Sequence, residues 1–234
     1  AIITGMSGFA GKNLAKLLLK ESDAEVCGVV RQSVANSFLN GKFERVNLVE
    51  ATNFDREMPF ILESFQPDYI FHMAGAVSVK RSWKEPQSFV ATNVGLTHSL
   101  LEHVLSHSPQ ARVLLPGSAE QYGPVREKNL PIKESQSFNP KSPYALSKCF
   151  QEDLAGFYLD RGLNVLFTRT FHHTGLDQQP GFVAADFARQ VALAEQGRIN
   201  QIDVGDLSSK RDFLDISDVV RAYSHIIRHG DIGE

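Results

Sequence analysis

Near its start the sequence reads Ile2-Ile3-Thr4-Gly5-Met6-Ser7-Gly8-Phe9-Ala10-Gly11, a short apolar run followed by a glycine-rich loop. After the loop, Leu14, Leu17 and Leu18 fall on one helical face. A strand, a glycine turn and a helix N-terminus in this order predict a site for a pyrophosphate. The glycines let the phosphates approach the backbone, and the first N–H groups of the helix can bind them. The alternative is a purely structural turn.

Short apolar runs alternate with helical periodicity along most of the chain. Separated runs of this kind predict βαβ units, a parallel sheet and right-handed crossovers. The expected fold class is therefore α/β, a doubly wound parallel sheet of the Rossmann type. The expected strands are 2–4, 26–30, 43–48, 69–72, 113–115 and 165–168, with helices over about 93–106 and 143–159.

The composition is that of an ordinary folded protein. The 234 residues include 24 Lys and Arg and 27 Asp and Glu, which gives a formal net charge of −3. This near-neutral balance argues against nucleic-acid binding. Two cysteines, Cys27 and Cys149, favour a reducing compartment over a disulfide framework. No apolar run approaches the roughly 18 residues of a membrane span and no signal peptide is visible, so we expect a cytoplasmic protein with no membrane partner.

The residue after the second strand indicates which dinucleotide binds. An acidic side chain there would bind the ribose hydroxyl of NAD, whereas an arginine suits the 2′-phosphate of NADP. The residue is Arg31, and a guanidinium pairs with phosphate through a fixed fork of donors. We therefore favour NADP(H). If Arg31 is merely a solvated loop residue, NAD(H) is the alternative.

The segment Tyr144-Ala145-Leu146-Ser147-Lys148 carries the predicted chemistry. Tyr144 and Lys148 share a helix face, about 6 Å apart along the axis. A phenol with a pKa of about 10 exchanges protons poorly at neutral pH. We expect the Lys148 ammonium and an oxidised nicotinamide to lower the pKa of Tyr144, so that it exchanges a proton with a substrate oxygen. Ser118, just past the fifth strand, would hold the reacting carbonyl.

The character of the sequence changes after Phe171. We expect a polar loop over 172–182, a helix over 183–196, a short strand over 202–204 and a helix over 217–229 with its N-cap at Ser217-Asp218. A dinucleotide-binding domain would span 1–170, and 171–234 would be part of a smaller substrate-binding lobe. Within this lobe, residues 199–229 could contribute to the sheet. Because the chain opens inside a strand and stops just after a helix, we expect a truncated portion of a longer protein.

Several motifs resemble the extended short-chain dehydrogenase/reductases, in the nucleotide-sugar epimerase/dehydratase branch. The loop spacing is Gly-x-x-Gly-x-x-Gly, with Thr4 before it and Phe9 inside it. The segments 72–75, 93–95 and 118–123 also resemble this branch. Segments 169–175, 177–183 and 210–222 are similar to GDP-4-keto-6-deoxymannose reductases, so the resemblance covers essentially the whole chain.

The resemblance implies an NAD(P)-dependent oxidoreductase and assigns roles to residues. Arg211 would grip the diphosphate of a sugar nucleotide, as bidentate Arg–phosphate geometry allows. The helices of Asn93 and Tyr144 would form a four-helix bundle in a homodimer. The implied catalytic residues are Ser118, Tyr144 and Lys148; the cofactor contacts are Gly5, Ser7, Gly8, Phe9, Arg31, Asn47, Leu48, Ala74, Gly75, Ala76, Tyr144, Lys148 and Phe171; the substrate contacts are Ser78, Glu120, His172 and Arg211.

Two departures from the family pattern bear on the reaction. His172 stands where the family has Asn, and Leu176 where it has Pro. Related 4,6-dehydratases place Thr-Asp-Glu or Thr-Ser-Glu at the position of 118–120, where their Glu removes the C5 proton. The expected function is reduction of a GDP-4-keto-6-deoxy sugar, with hydride to C4 and a proton from Tyr144. A 4,6-dehydratase or a 4-epimerase is the alternative, and a non-catalytic NADP-binding protein is the third.

We expect no metal site. Histidines are paired at 172–173, and His103 and His107 are four residues apart on a predicted helix. Neither pair is accompanied by a further set of ligands, and a two-histidine pair alone is more typical of a polar helix face.

Overall fold

Strands and helices alternate along the chain, as the sequence predicts. The computed structural model describes residues 1–31 and 45–233. The strands are β1 (Ile2–Thr4), β2 (Val26–Val30), β3 (Val46–Glu50), β4 (Tyr69–His72), β5 (Arg112–Pro116), β6 (Asn164–Thr168), β7 (His172–Thr174) and β8 (Phe213–Asp215). The helices are α1 (Phe9–Glu21), α2 (Phe54–Phe65), α3 (Val79–Ser82), α4 (Pro86–His107), α5 (Pro143–Asp160), α6 (Val183–Glu195) and α7 (Ile216–His229).

Six strands form one parallel sheet in the order β3-β2-β1-β4-β5-β6. The strand order reverses between β1 and β4, and open sheets of this kind bind ligands at the carboxyl ends of the strands beside such a reversal. The expected Rossmann-type sheet is therefore confirmed. Strands β7 and β8 form a separate parallel pair in which His172 lies opposite Phe213.

Both faces of the sheet are covered by helices. Alternate residues of a strand enter opposite layers: Ile2 packs among α2, α4 and α5, whereas Ile3 packs among α1 and α7. Helix α7 lies against α1 and supplies Val219 and Tyr223 to this second layer. The segment 199–229 thus contributes a covering helix and one strand of the two-stranded sheet.

Helix α5 positions two of the expected catalytic residues. Its N-cap is Ser142, whose hydroxyl accepts the N–H of Ala145 at 3.1 Å, and Pro143 occupies the first helical position. The helix therefore begins directly before Tyr144, which places Tyr144 and Lys148 in its first two turns.

Several element boundaries differ from the sequence-based expectations. The expected strand over 202–204 is wrong, because these residues are exposed and have no strand structure. The expected loop over 172–182 begins with β7, and α4 starts at Pro86 instead of Asn93. Asp215, not Ser217, is the N-cap of α7 and accepts the Ser217 N–H at 2.7 Å. The third strand covers 46–50; Phe43, where we expected it to begin, lies outside the described residues.

Candidate active site

The glycine loop closes tightly against the end of β4. Gly5 has φ +63, and a Cβ built on it would stand 2.7 Å from the backbone of Ala74. A Cβ on Gly11 would stand 2.7 Å from the Gly5 carbonyl oxygen. The N-cap of α1 is Gly8, which has no side chain to cap the helix. The first N–H groups of α1 are therefore available to an anion such as a pyrophosphate.

Buried polar contacts join β1 to the segment after β4. Thr4 Oγ1 lies 2.8 Å from Nδ1 of His72 and accepts the N–H of Ala74 at 3.2 Å. Burial lowers the pKa of His72 to about 3, with the charge of Lys148 as a second cause. The ring is therefore neutral at physiological pH, and Ala74 is held directly beside the glycine loop.

Three side chains converge at the carboxyl end of β5. Ser118 follows β5, Tyr144 and Lys148 project from α5, and each of these residues is at most 9% exposed. A hydrogen bond joins Ser118 to Tyr144. Burial raises the pKa of Tyr144 to about 12; the hydrogen bond from Ser118 opposes this shift, and the neighbouring Tyr223 and Glu120 add to it.

The Lys148 ammonium is directed at the backbone. Its Nζ donates to the Pro116 carbonyl at 2.8 Å, and burial lowers the pKa of Lys148 to about 8. Among the protein's own groups, burial of the Tyr144 phenol outweighs the contacts that favour the phenolate, so its pKa rises. The expected fall, which also depends on an oxidised nicotinamide, stays a prediction for the complex with the cofactor. At neutral pH Tyr144 is an un-ionised phenol, the form that can give up a proton.

Glu120 and His172 face each other beside the buried triad. Nε2 of His172 lies 3.5 Å from Oε1 of Glu120, and the two side chains are 38% and 34% exposed. The His172 ring also lies against Phe213, with 5.8 Å between centroids. Glu120 also acts electrostatically on Tyr144, and the side chains of Glu120 and His172 are more exposed than the residues of the triad.

The remaining predicted contact residues are spread over several elements. Arg31 is exposed just after β2, and Asn47 and Leu48 lie on the neighbouring β3. Ser78 caps the N-terminus of α3 with its hydroxyl. Arg211 is exposed and donates to the carbonyl of the preceding residue at 2.7 Å. Ser7 is exposed in the glycine loop, and Phe171 is partly buried between β6 and β7.

The loop after β7 is attached to the first two turns of α1. The rings of Phe9 and His173 are parallel within 3°, with 6.2 Å between centroids. Asp177 lies 3.1 Å from Nζ of Lys12 and 3.4 Å from Nζ of Lys16. The glycine-loop helix and the segment that follows β7 are thus in direct contact.

No sequence motif predicts a role for Arg169, Glu152 or Gln121, yet the three side chains are joined by hydrogen bonds. Nε and Nη2 of Arg169 donate to the two carboxylate oxygens of Glu152 at 3.1 and 2.5 Å. Gln121 donates from Nε2 to Glu152 at 2.7 Å and accepts the Ser118 N–H at 2.8 Å. Glu152 follows Lys148 by four residues, so the shared helix face is a signal that could have found it.

Within residues 1–31 and 45–233, no helix is long and apolar enough to cross a bilayer. Nor do three or more His, Cys, Asp or Glu side chains of these ranges come together as a metal site would require.

Comparisons with known proteins extend over nearly the whole chain. A family model described as GDP-mannose 4,6 dehydratase matches residues 2–234. GDP-6-deoxy-D-mannose reductase from Pseudomonas aeruginosa is 33% identical over 233 residues, which are 99% of this chain and 71% of that protein.

Solved structures give the same relationship. The structure of RMD from Pseudomonas aeruginosa complexed with NADPH has a TM-score of 0.81 and 30% identity, covering 99% of this chain and 75% of that chain. A double mutant of the dTDP-glucose 4,6-dehydratase DesIV from Streptomyces venezuelae, with NAD bound, has a TM-score of 0.87 and 24% identity. The match covers 100% of this chain and 73% of that chain. This second likeness shows the fold.

Proposed function

The chain belongs to the GDP-mannose 4,6-dehydratase family of extended short-chain dehydrogenase/reductases, and from this premise we propose that it is an NADP(H)-dependent reductase. The proposed substrate is a nucleotide-linked 4-keto-6-deoxy sugar, and the reaction is of the type that converts GDP-4-keto-6-deoxymannose to GDP-rhamnose. Support comes from the 33% identity with a GDP-6-deoxy-D-mannose reductase. Membership of the family confirms the resemblance seen in the sequence motifs.

The glycine loop fits a dinucleotide cofactor. A Cβ on Gly5 or Gly11 would stand 2.7 Å from neighbouring backbone, so the tight turn that leads into α1 requires glycine at both positions, and the N-terminus of α1 favours negative charge. When bound, NADPH supplies the hydride. Arg31, at the end of β2, is proposed to favour the 2′-phosphate of NADP(H) over NAD(H). The NADPH complex of the related RMD supports this choice.

The observation that carries the proposal is the convergence of Tyr144, Ser118 and Lys148 at the carboxyl end of β5, where each residue is at most 9% exposed. The Tyr144 phenol is hydrogen-bonded to Ser118 and carries its proton at neutral pH. A protonated phenol can give its proton to the oxygen at C4 as that oxygen gains charge. Ser118 would bind the same oxygen with its hydroxyl, and Lys148, held at the Pro116 carbonyl, would bind the ribose of the cofactor.

A 4,6-dehydratase is the second candidate, because a carboxylate, Glu120, stands beside the triad. Such an enzyme needs a free base to remove the C5 proton. Here Glu120 Oε1 lies 3.5 Å from Nε2 of His172, so the carboxylate already faces a polar partner. We therefore rank reduction first, with Glu120 and His172 orienting sugar hydroxyls.

The test mixes the purified protein with NADPH and GDP-4-keto-6-deoxymannose and follows NADPH absorbance. We expect oxidation by the wild type and a loss of at least about 100-fold in Tyr144→Phe, since general acid catalysis contributes on that order. Absence of NADPH oxidation by the wild type would refute the proposal. Formation of a 4-keto product from GDP-mannose without added reductant would instead establish the dehydratase, and epimerised UDP-sugars the epimerase.

The proposal extends to organisation and location. We propose that residues 171–234 belong to the substrate-binding lobe, with Arg211 reaching the diphosphate and Ser78 a sugar hydroxyl when substrate is bound. We also propose a cytoplasmic homodimer that pairs α4 and α5 with their copies, because α5 presents exposed Leu146, Phe150 and Phe157.

A further inference from the structure

The loop that carries Ser118 is closed by a reciprocal pair of hydrogen bonds. The Ser118 side chain accepts the N–H of Glu120 at 3.2 Å, and the Gln121 side chain accepts the N–H of Ser118 at 2.8 Å. This capping box begins a short 3-10 turn, Ala119–Tyr122. Since its oxygen already accepts the Glu120 N–H, the Ser118 hydroxyl keeps its own proton free for Tyr144 or for a substrate oxygen.

The Gln121 side chain is itself fixed from its other end. Its Nε2 donates to Glu152 at 2.7 Å, and Gln121 is 0% exposed. Glu152 is held by the forked contact with Arg169, and these two side chains are 11% and 19% exposed. Arg169 also donates to the Tyr122 hydroxyl at 3.1 Å, which attaches the same turn a second time.

These contacts run from Arg169, directly after β6, through Glu152 on α5 to the loop of Ser118. The direction of each hydrogen bond is determined: the guanidinium can only donate, the carboxylate can only accept, and so the amide of Gln121 must turn its NH₂ to Glu152 and its oxygen to Ser118. Charge-assisted bonds at both ends of Glu152 make the arrangement stiff.

We propose that Gln121, held by Glu152 and Arg169, is a positioning residue that sets the direction of the Ser118 hydroxyl towards Tyr144. Glu152 lies on the same helix as Tyr144 and Lys148, so one rigid element determines both sides of the Ser118–Tyr144 contact. Loss of the relay turns Ser118 without removing any group that touches substrate or cofactor.

A swap of amide and carboxylate gives a sharp test. Gln121→Glu places two carboxylates against each other, and Glu152→Gln puts an NH₂ group in place of one of the two oxygens that accept from Arg169. In the double variant Gln121→Glu/Glu152→Gln, the two positions again hold one carboxylate and one amide. The carboxylate at position 121 accepts the Ser118 N–H, and the amide at position 152 donates to that carboxylate. A matched control is Glu102→Gln. Glu102 accepts hydrogen bonds from Tyr158 and Arg161, and Tyr158 lies at the other end of α5, roughly 21 Å along the helix from Tyr144.

The first readout is kinetic and rests on the proposed reductase function. We expect each single variant to lower kcat by at least about tenfold, since misplacement of a reacting group is costly, with the KM for NADPH unchanged. The swap should recover most of that loss, and Glu102→Gln should match the wild type. Unchanged kcat in Gln121→Glu, or a change confined to KM, would overturn the proposal.

The second readout needs no substrate. In protein labelled with ¹³Cζ-tyrosine, the Tyr144 resonance is identified by its loss in Tyr144→Phe. It should shift in Gln121→Glu and in Ser118→Ala and return in the swap. A resonance that stays in place in Gln121→Glu overturns the positioning role. Inactivity of the wild type in the kinetic assay, by contrast, counts against the reductase alone, and the resonance then decides the relay.

Discussion

Asn93 holds Ala76 through both backbone groups of that residue. Oδ1 of Asn93 accepts the Ala76 N–H at 2.7 Å, and Nδ2 donates to the Ala76 carbonyl at 3.1 Å. The same Nδ2 donates to the Ser147 hydroxyl at 2.8 Å, and Ser147 donates to the Tyr144 carbonyl at 2.7 Å. One fully buried amide therefore joins the segment after β4 to the helical turn of Tyr144.

Asn93→Ala should weaken both the fold and the cofactor site. It leaves the half-buried N–H and C=O of Ala76 without their partner, which costs about 1–3 kcal/mol of unfolding free energy. We expect the Kd for NADPH to rise about tenfold, equivalent to about 1.4 kcal/mol. Urea unfolding and a fluorescence titration measure the two quantities. Ser106→Ala, exposed on the same helix, should stay within about 0.5 kcal/mol of the wild type, and an unchanged Kd in Asn93→Ala would contradict the expectation.

Gly5→Ala should abolish NADPH binding. The methyl group would meet the backbone of Ala74 at 2.7 Å, and the positive φ of Gly5 adds strain that no side-chain movement relieves. The matched control is Gly95→Ala in α4, where a Cβ meets nothing within 4 Å and alanine should add about 0.5–1 kcal/mol of stability. Calorimetric titration with NADPH distinguishes the two variants, and binding by Gly5→Ala at wild-type affinity would rule out this role for the loop.

His72 makes the fold sensitive to acid. Its pKa is lowered by burial from 6.5 to about 3, so between these values the unfolded chain binds a proton that the folded chain does not. The stability contributed by neutral His72 is present above about pH 6.5 and is lost as the pH falls. Relative to His72→Gln, we expect the wild-type unfolding free energy to fall by about 1.4 kcal/mol per pH unit below that value. Parallel curves for the two proteins, measured by denaturant unfolding from pH 7 to 4, would be the opposing result.

The central sheet could be predicted from the sequence because each buried strand is an uninterrupted apolar run between helical segments. Strands β7 and β8 could not be predicted, because three residues such as His172–Thr174 are too few to show an alternation of apolar and polar side chains. Their pairing also joins residues 41 positions apart, His172 and Phe213. The opposite error at 202–204 has the same cause: Ile202 and Val204 alternate as in a strand, but both are exposed and neither pairs with a strand of the described residues.

The chemistry of the site was predictable in part. The positions of Ser118, Tyr144 and Lys148 follow from the motif and the order of elements. The pKa of Tyr144 does not, because burial is a property of the packed layers and outweighs the local charges. The motif that contains Arg169 predicts no role for it, because its partner Glu152 lies on another element.

Arg31 is expected to select the phosphate-bearing cofactor. Arg31→Ala removes a charge-assisted contact worth about 1.5–3 kcal/mol, so the KM for NADPH should rise by about 10- to 100-fold while the KM for NADH stays the same. Arg56→Ala, an exposed arginine of α2, is the control for loss of a positive charge. A parallel rise of both KM values would show that Arg31 acts on the fold and not on the 2′-phosphate.

The proposed homodimer rests on the apolar side chains that α5 exposes. Leu146, Phe150 and Phe157 are 41%, 42% and 55% exposed, and their spacing of four and seven residues aligns them along one stripe of the helix. Apolar side chains of this size in one stripe are typical of an interface that stays covered.

Phe150→Glu should convert the dimer to a monomer, because it inserts an unpaired charge into an apolar contact that must bury more than about 1,000 Å² to be stable. Analytical ultracentrifugation at micromolar concentration measures the change. Phe60→Glu is the matched control, since Phe60 is 66% exposed on α2, away from α5, and the variant should sediment as the wild type does. A wild-type protein that is already monomeric would exclude the α4–α5 bundle, whereas a dimer that survives Phe150→Glu would move the interface to another face. Tyr144 and Lys148 lie on the same helix as this stripe. If dimerisation stiffens α5, the monomeric variant should also lose activity. If the contacts of Glu152 and Arg169 alone keep α5 rigid, the monomeric variant should stay active.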